Sequence, residues 1–288
     1  MKPILTLITF FIASTILMAQ NKPAYILYNS KGKKVKYTKM IKKISESDVL
    51  LFGEQHNNPI AHWLQLEVTK DLFSLKGQNL VLGAEMIETD NQELLNMYLA
   101  DKKTEEEFEE EARLWNNYKT DYKPLVLFSK EHNLPFIASN IPRKYASMVY
   151  KQGIESLDTL DDASKAFIAP LPIEIDLELP GYQNMLKMMG GHGPANENFP
   201  KAQAVKDATM GYSITQNWTK GKYFIHYNGT YHSDNYEGTM WYVKKYKPSI
   251  VCSSISTVSQ VDITKLDKEN MGKADFIICI PEDMTKTY

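Results

Sequence analysis

The sequence has 288 residues, enough for one large domain or two modest ones and for a sizeable buried core. It is 43% hydrophobic and 24% charged, which excludes collagen-like and disordered classes. With 33 basic against 35 acidic residues, and no stripe of Lys and Arg interleaved with aromatics, a nucleic-acid partner is not expected.

Residues 1–20 read as a cleavable secretory leader. Lys2 supplies a positive start, Leu5 to Met18 is an apolar run broken only by Thr and Ser, and Met18-Ala19-Gln20 is a small-residue exit before Asn21. The run is short for a spanning helix, which needs about 20 residues. No lipobox Cys comes after it, so export without a lipid anchor is expected. Residues 21–288 then form one continuous domain, with 32 basic and 35 acidic residues once Lys2 is removed.

Tyr25–Tyr28 and Val35–Tyr37 predict a short hairpin around Lys31-Gly32. Val49-Leu-Leu-Phe52 is an apolar run of strand length, succeeded by a helix with Asn57 or Asn58 as N-cap and Pro59 at its first position. Ile60, Leu64, Val68 and Leu72 recur along it every four residues. Leu80–Leu82 is the next strand, and an acidic helical region runs from Asp90 to about Tyr118. Its Glu105–Glu111 run reads as a solvated face. Leu134–Ala138 is a strand leading to a helix, Pro170–Pro180 is irregular, and Gly190–Pro194 is a loop. A helix over Ala202–Trp218 precedes the strand Tyr223–Tyr227, and Ile250 and Ile277 centre two more strands. Two-sided apolar strands alternating with helices predict an α/β fold, a mostly parallel central sheet flanked by helices. The stretches of about 90–131 and 156–200 are expected as helical insertions above the C-terminal strand edge. Cys252 and Cys279 sit in apolar runs of neighbouring strands. Export would permit a disulfide between them, and two buried free thiols is the plainer expectation.

The chemistry is concentrated at the residues just past each strand. Val49–Phe52 runs into Gly53-Glu54-Gln55-His56, and Leu80–Leu82 into Gly83-Ala84-Glu85. Phe136–Ala138 runs into Ser139-Asn140 with Arg143 beyond, and Tyr223–Tyr227 into Asn228-Gly229-Thr230-Tyr231-His232. Parallel strands would gather Glu54, His56, Glu85, Asn140, Arg143 and His232 along one carboxyl edge, where open sheets bind ligands. Two Glu and two His suit a divalent metal or metal-free acid–base work. No H-E-x-x-H, G-x-S-x-G, P-loop or G-x-G-x-x-G pattern is present. His192, between glycines and preceded by Met185, Met188 and Met189, reads either as part of a turn after a helix whose Met residues face the core, or as a mobile ligand above a flat apolar cofactor. Tyr182, Tyr212 and Tyr231 lie near these segments, and a phenolate is a legitimate iron ligand.

Several of these stretches together resemble the ChaN-like haem-binding uptake family, whose superfamily includes erythromycin esterase-like, TraB-like and Tiki proteins. They are Gly53–His62 with Leu64-Gln65; Gly83–Met86 with Gln92; Trp115 and then Tyr122-Lys123-Pro124; Ala138–Asn140 with Arg143; Ala202-Gln203 with Asp207 and Met210; and Gly229–His232. The resemblance runs in family order from about Val49 to Val243. It implies an α/β fold with insertions, a periplasmic or envelope location, and haem binding for iron acquisition. It also implies a homodimer that sandwiches haem, iron held by Tyr or His, and an outer-membrane receptor or transporter as partner. The cofactor-binding expectation covers His192, Tyr182, Tyr212, Tyr231, Asn140, Arg143, Gln203 and Asp207. In the enzymatic relatives the positions matching Glu54, His56, Glu85 and His232 form a hydrolytic site, flanked by those matching Gln203 and Asp207. A hydrolase, with or without metal, is therefore the alternative expectation.

Overall fold

The computed structural model describes residues 22–190 and 196–288. The expected leader and His192 lie outside the described residues. In chain order the elements are β1 (Ile26–Asn29), α1 (Tyr37–Ile44), β2 (Val49–Glu54), α2 (Pro59–Lys76), β3 (Leu80–Glu88), α3 (Gln92–Leu99) and α4 (Glu105–Glu111). A π-helical turn (Tyr118–Tyr122) leads into α5 (Lys123–Glu131). Then come β4 (Phe136–Asn140), α6 (Arg143–Gln152), α7 (Asp162–Lys165), α8 (Pro180–Gly190), α9 (Asn198–Asn217), β5 (Tyr223–Gly229), α10 (Thr239–Tyr246), β6 (Cys252–Gln260) and β7 (Phe276–Pro281).

Among the described residues seven strands form one sheet in the order β1-β7-β6-β2-β5-β3-β4. Only β1 runs antiparallel, at the edge beside β7; the pairs β7–β6, β6–β2, β2–β5, β5–β3 and β3–β4 are all parallel. The α/β expectation therefore holds. In β2, Leu50 and Phe52 join one core with Leu64, Val68 and Leu72 of α2, while Val49 and Leu51 join another with Ile214 of α9 and Val243 of α10. Alternate side chains point to opposite faces of a strand, so a run apolar at every position is what a sheet covered on both sides requires. Each fully buried Leu, Ile, Val or Phe contributes about 1.5–3 kcal/mol, and this two-sided core offsets the charges buried at the sheet's edge. Among the described residues no helix is long and apolar enough to cross a membrane.

Three local expectations are corrected. The chain does turn back at Gly32 (φ +71°), but the second arm is a single bridge, Tyr28 to Lys34, because Tyr37 already begins α1. Ile250 precedes β6 rather than centring it: its side chain is buried against the α9 and α10 side of the sheet before the ladder with β2 opens at Cys252. The acidic region is broken into α3 and α4, with Asp101 in left-handed backbone between them. Helix α2 behaves as expected: the Asn58 side chain accepts from the N–H groups of Ile60 (3.0 Å) and Ala61 (3.3 Å), and Pro59 opens the first turn.

Cys252 and Cys279 are free thiols. Cys279 pairs in register with Val258, six residues along β6 from Cys252. At about 3.3 Å per residue that offset is about 20 Å, far beyond what a disulfide spans. Burial pushes both thiols up to about 12.

Candidate functional site

Strands β2, β5, β3 and β4 lie side by side and end on the same edge of the sheet. Their last residues form the floor of a cavity of about 1320 Å³, larger than the roughly 300–1,000 Å³ of an ordinary small-molecule pocket. Glu54, His56, Glu85, Asn140, Arg143, Gln203, Tyr231 and His232 all line it. The two insertions supply the walls: Leu114 and Trp115 from one, Met185, Met188 and Phe199 from the other.

Glu54, only 1% exposed, is the hub of the first group. Its Oε1 accepts from the Tyr122 hydroxyl (2.6 Å) and from His56 Nδ1–H (2.9 Å), and its Oε2 accepts from the Gln65 amide (2.5 Å). Buried His62 lies behind, with Nδ1 3.4 Å from Glu54 Oε2 and Nε2 facing the His56 carbonyl at 3.0 Å and Asp121 at 3.3 Å. Burial disfavours a charge on His56, but the hydrogen bond to Glu54 and the fields of Glu85 and Glu54 outweigh it and raise its pKa. The His56 ring stands edge-on to Trp115, centroids 4.8 Å apart. Its Nε2 packs against Gly229, where a Cβ would lie 2.6 Å away.

The second group is centred on His232, 3% exposed. Nδ1–H donates to Asp207 Oδ1 (2.7 Å), and Nε2 lies 3.1 Å from Glu85 Oε1. The Gln203 amide packs 2.8 Å from Nε2. Burial opposes charge on this ring too, yet the carboxylates of Glu85 and Asp207 drive its pKa far above the usual imidazole range. Glu85 bears the same burial penalty, and the His232 cation, His56 and the Gly229 N–H (2.7 Å from Oε2) together hold it well below the usual carboxylate range. Asp207, fully buried on α9, also accepts from the Thr239 hydroxyl (3.0 Å) and the Tyr182 hydroxyl (2.9 Å).

Two carboxylate–imidazole couples thus meet at Gly229 on the cavity floor. Among the described residues no group of three or more His, Cys, Asp or Glu is arranged to hold a metal ion. Of the expected metal set, Glu54 pairs with His56 and Glu85 with His232, and both His232 nitrogens face carboxylates.

The expected cofactor contacts separate into three positions. Tyr231 lines the cavity and is 60% exposed. Tyr182 does not line it; buried and tied to Asp207, its phenol is pushed up by burial first and then by that carboxylate. Tyr212 is elsewhere, edge-on to Tyr246 at 5.9 Å and beside Leu171 and Pro172, because its position on α9 faces α10 rather than the sheet edge. Asn140 Oδ1 is buried with no hydrogen-bond partner among the described residues. Arg143 and Lys206 add positive charge to the wall.

Local sequence pattern does not identify the Tyr122, Asn117 and Asp121 supports. Asn117 donates to the His56 carbonyl (3.0 Å) and to Asp121 (2.7 Å). The only signal for Tyr122 is the family-like Tyr122-Lys123-Pro124 stretch. Nothing local marks Phe199 or Tyr288 as cavity residues.

A model of the family described as haem-binding uptake, Tiki superfamily, ChaN matches residues 40–243. Among solved structures the chain is similar to ChaN of Campylobacter jejuni, described as binding haem cofacially. The TM-score is 0.67 and identity 17%, over 88% of this chain and 96% of that one. A succinoglycan biosynthesis protein aligns at TM-score 0.52 and 10% identity, over 90% of this chain and 94% of that one. An erythromycin esterase mutant in its open conformation aligns at TM-score 0.50 and 9% identity, over 89% of this chain and 97% of that one. A search of curated proteins returns no match. At such identities the structural likenesses show the fold alone, whereas the family model spans more than two thirds of the sequence. The chain therefore belongs to the ChaN family of haem-binding uptake proteins in the Tiki superfamily.

Proposed function

We propose that the protein binds haem in the cavity at the carboxyl edge of the sheet and serves iron acquisition. The observation that carries the reading is the cavity's composition. It is large, walled by Leu114, Trp115, Ile141, Met185, Met188 and Phe199, and edged by the cations Arg143 and Lys206. A flat apolar macrocycle with two carboxylates suits such a lining, the macrocycle against the apolar walls and the carboxylates beside the two cations. Among groups able to reach iron, Tyr231 is exposed on the rim, and His56 holds Nδ1 on a carboxylate with Nε2 unbonded among the described residues. That is the arrangement in which an outer partner fixes the tautomer and orientation of a ligating imidazole. Bound haem would supply the iron centre itself; the chain's residues bind it, orient it and exclude water.

The protein similar to this one from C. jejuni binds haem cofacially, and a homodimer closing two such cavities on each other is part of this proposal. Exposed Met188 and Tyr231 on the rim support it. Export of the chain, and handover of haem by an outer-membrane receptor or transporter, belong to the same reading; the positive start and apolar run of residues 1–20 support export.

Titration of haem into the purified chain from Asn21 onward, monitored by absorbance, tests the proposal. A saturable, shifted Soret band is expected; free-haem spectra throughout would overturn it.

A second reading is favoured by one observation, the two carboxylate–imidazole couples that meet on the cavity floor. In a hydrolase, His56 oriented by Glu54 would take a proton from water, and the charged His232 would stabilise developing negative charge. Turnover of ester or lactone substrates, abolished by His56→Ala, is the result that would support it.

A further inference from the structure

Beyond β7 the sequence turns back across the site. The Glu282 N–H donates to the Gln260 carbonyl (3.1 Å), which holds the segment to the end of β6, and the Met284 N–H donates to the Pro281 carbonyl (3.1 Å). Met284 then packs on the main core, and the Thr287 N–H donates to the Asn57 carbonyl (2.9 Å) in the loop between β2 and α2. Asn57 is the residue directly after His56. Residues 282–288 are thus tied at both ends of their path, first to a strand and then to the loop that carries His56. Tyr288 reaches the cavity and lines it, although 68% of its surface remains exposed. This combination places the ring at the mouth rather than in the floor.

We propose that Tyr288 is a ligand-contacting residue of the cavity, delivered by a strap of residues 282–288 that governs how fast a flat ligand enters and leaves. The inference rests on the reading that the cavity takes haem. The strap is anchored mainly by two backbone hydrogen bonds and one methionine, and a backbone hydrogen bond exchanged against water contributes little net stability. An element held so lightly opens locally without unfolding the sheet. The contact is through the ring. Burial, with Glu54 and Asp121 nearby, raises the Tyr288 pKa.

The test uses the full chain and three variants: Tyr288→Ala, Tyr288→Phe, and deletion of residues 285–288. Haem dissociation is measured by transfer to an excess of an apo-globin scavenger, and affinity by Soret titration. Tyr288→Ala and the deletion should release haem roughly 5–20-fold faster, while Tyr288→Phe stays within about 2-fold of the parent. Unchanged release from both Tyr288→Ala and the deletion would overturn the proposal. A ligand-free readout separates this failure from that of the haem reading. Diethyl pyrocarbonate modification of His56, located by peptide mass spectrometry, should be several-fold faster in the deletion than in the parent, with His132 as an internal reference. An equal rate would overturn the strap even if the parent binds haem. A faster rate in the deletion, with a parent that binds no haem, would keep the strap and discard the haem reading.

Discussion

Asp207 accepts hydrogen bonds from His232, Thr239 and Tyr182 while fully buried. Removing its carboxylate strands a buried imidazolium and two hydroxyls, a change that typically costs 3–5 kcal/mol when one partner of a buried pair is lost. Asp207→Ala should therefore lower unfolding stability by about 3–5 kcal/mol in urea titrations, whereas Tyr182→Phe, which removes one hydrogen bond, should cost about 1 kcal/mol. Equal small losses would mean the charge on His232 is not held as described. A second residue-scale prediction concerns pH. His226 lies inside the sheet, fully buried, with Nε2 2.7 Å from the Ser139 hydroxyl and Nδ1 3.0 Å from Asn228, and burial lowers its pKa to about 4. Unfolded chains take up this proton near pH 6.5 and the folded chain does not, so stability falls as pH drops from about 6.5 towards 4, by up to about 3 kcal/mol. His232 acts in the opposite sense. Its pKa is raised on folding, so its contribution is complete below about pH 6.5 and is lost as pH climbs towards the folded value. Chemical unfolding across pH should show maximal stability near pH 6.5; a monotonic rise from pH 5 to 9 would contradict the assignment of His232.

At the scale of elements, the strand ends position the chemistry, and glycine makes the close approach possible. Gly229 ends β5 with His56 Nε2 where a Cβ would stand, at 2.6 Å. Gly229→Ala should push His56 off Glu54 while leaving the strand ladder intact, because Gly229 closes the ladder with β2 rather than sitting inside it. Losing that hydrogen bond should lower the His56 pKa, readable as an imidazole titration by NMR; an unchanged value would mean the neighbours simply give way. These strand ends are legible in the sequence, since four apolar runs each pass into Gly, Glu, Asn or His, and parallel pairing puts such ends on one edge. Tyr122 is not legible from local pattern. It donates to Glu54 from a π-helical turn 68 residues downstream, and no periodicity in the sequence encodes that approach. Tyr212 departs from expectation for a related reason: its position along α9 is evident, but which side of α9 faces the cavity depends on how α10 packs. The second arm of the hairpin is lost because a three-residue match to strand composition competes with a helix start at Tyr37.

For the whole molecule, the decisive feature is that the two insertions expected at about 90–131 and 156–200, far apart in sequence, both contribute walls to one cavity over the carboxyl edge. Their existence is readable from sequence as helical stretches interrupting the strand–helix alternation. Their place above the carboxyl edge is readable as well, but which of their residues face one another across the cavity is not, because it depends on the order β2-β5-β3-β4, in which β5, late in the chain, inserts between two early strands. That insertion also brings His232 beside Glu85. A second groove, lined by Pro170, Leu171, Pro172, Tyr212 and Tyr246, lies away from this edge and offers the natural comparison for any ligand that binds elsewhere. Hydrogen–deuterium exchange of the protein with and without saturating haem distinguishes the two locations. Binding in the carboxyl-edge cavity predicts slowed exchange in peptides covering Leu114–Asn117, Asn140–Arg143 and Gly229–His232. Protection confined to the Pro170–Pro172 and Tyr246 groove, or none in the cavity peptides, would contradict it.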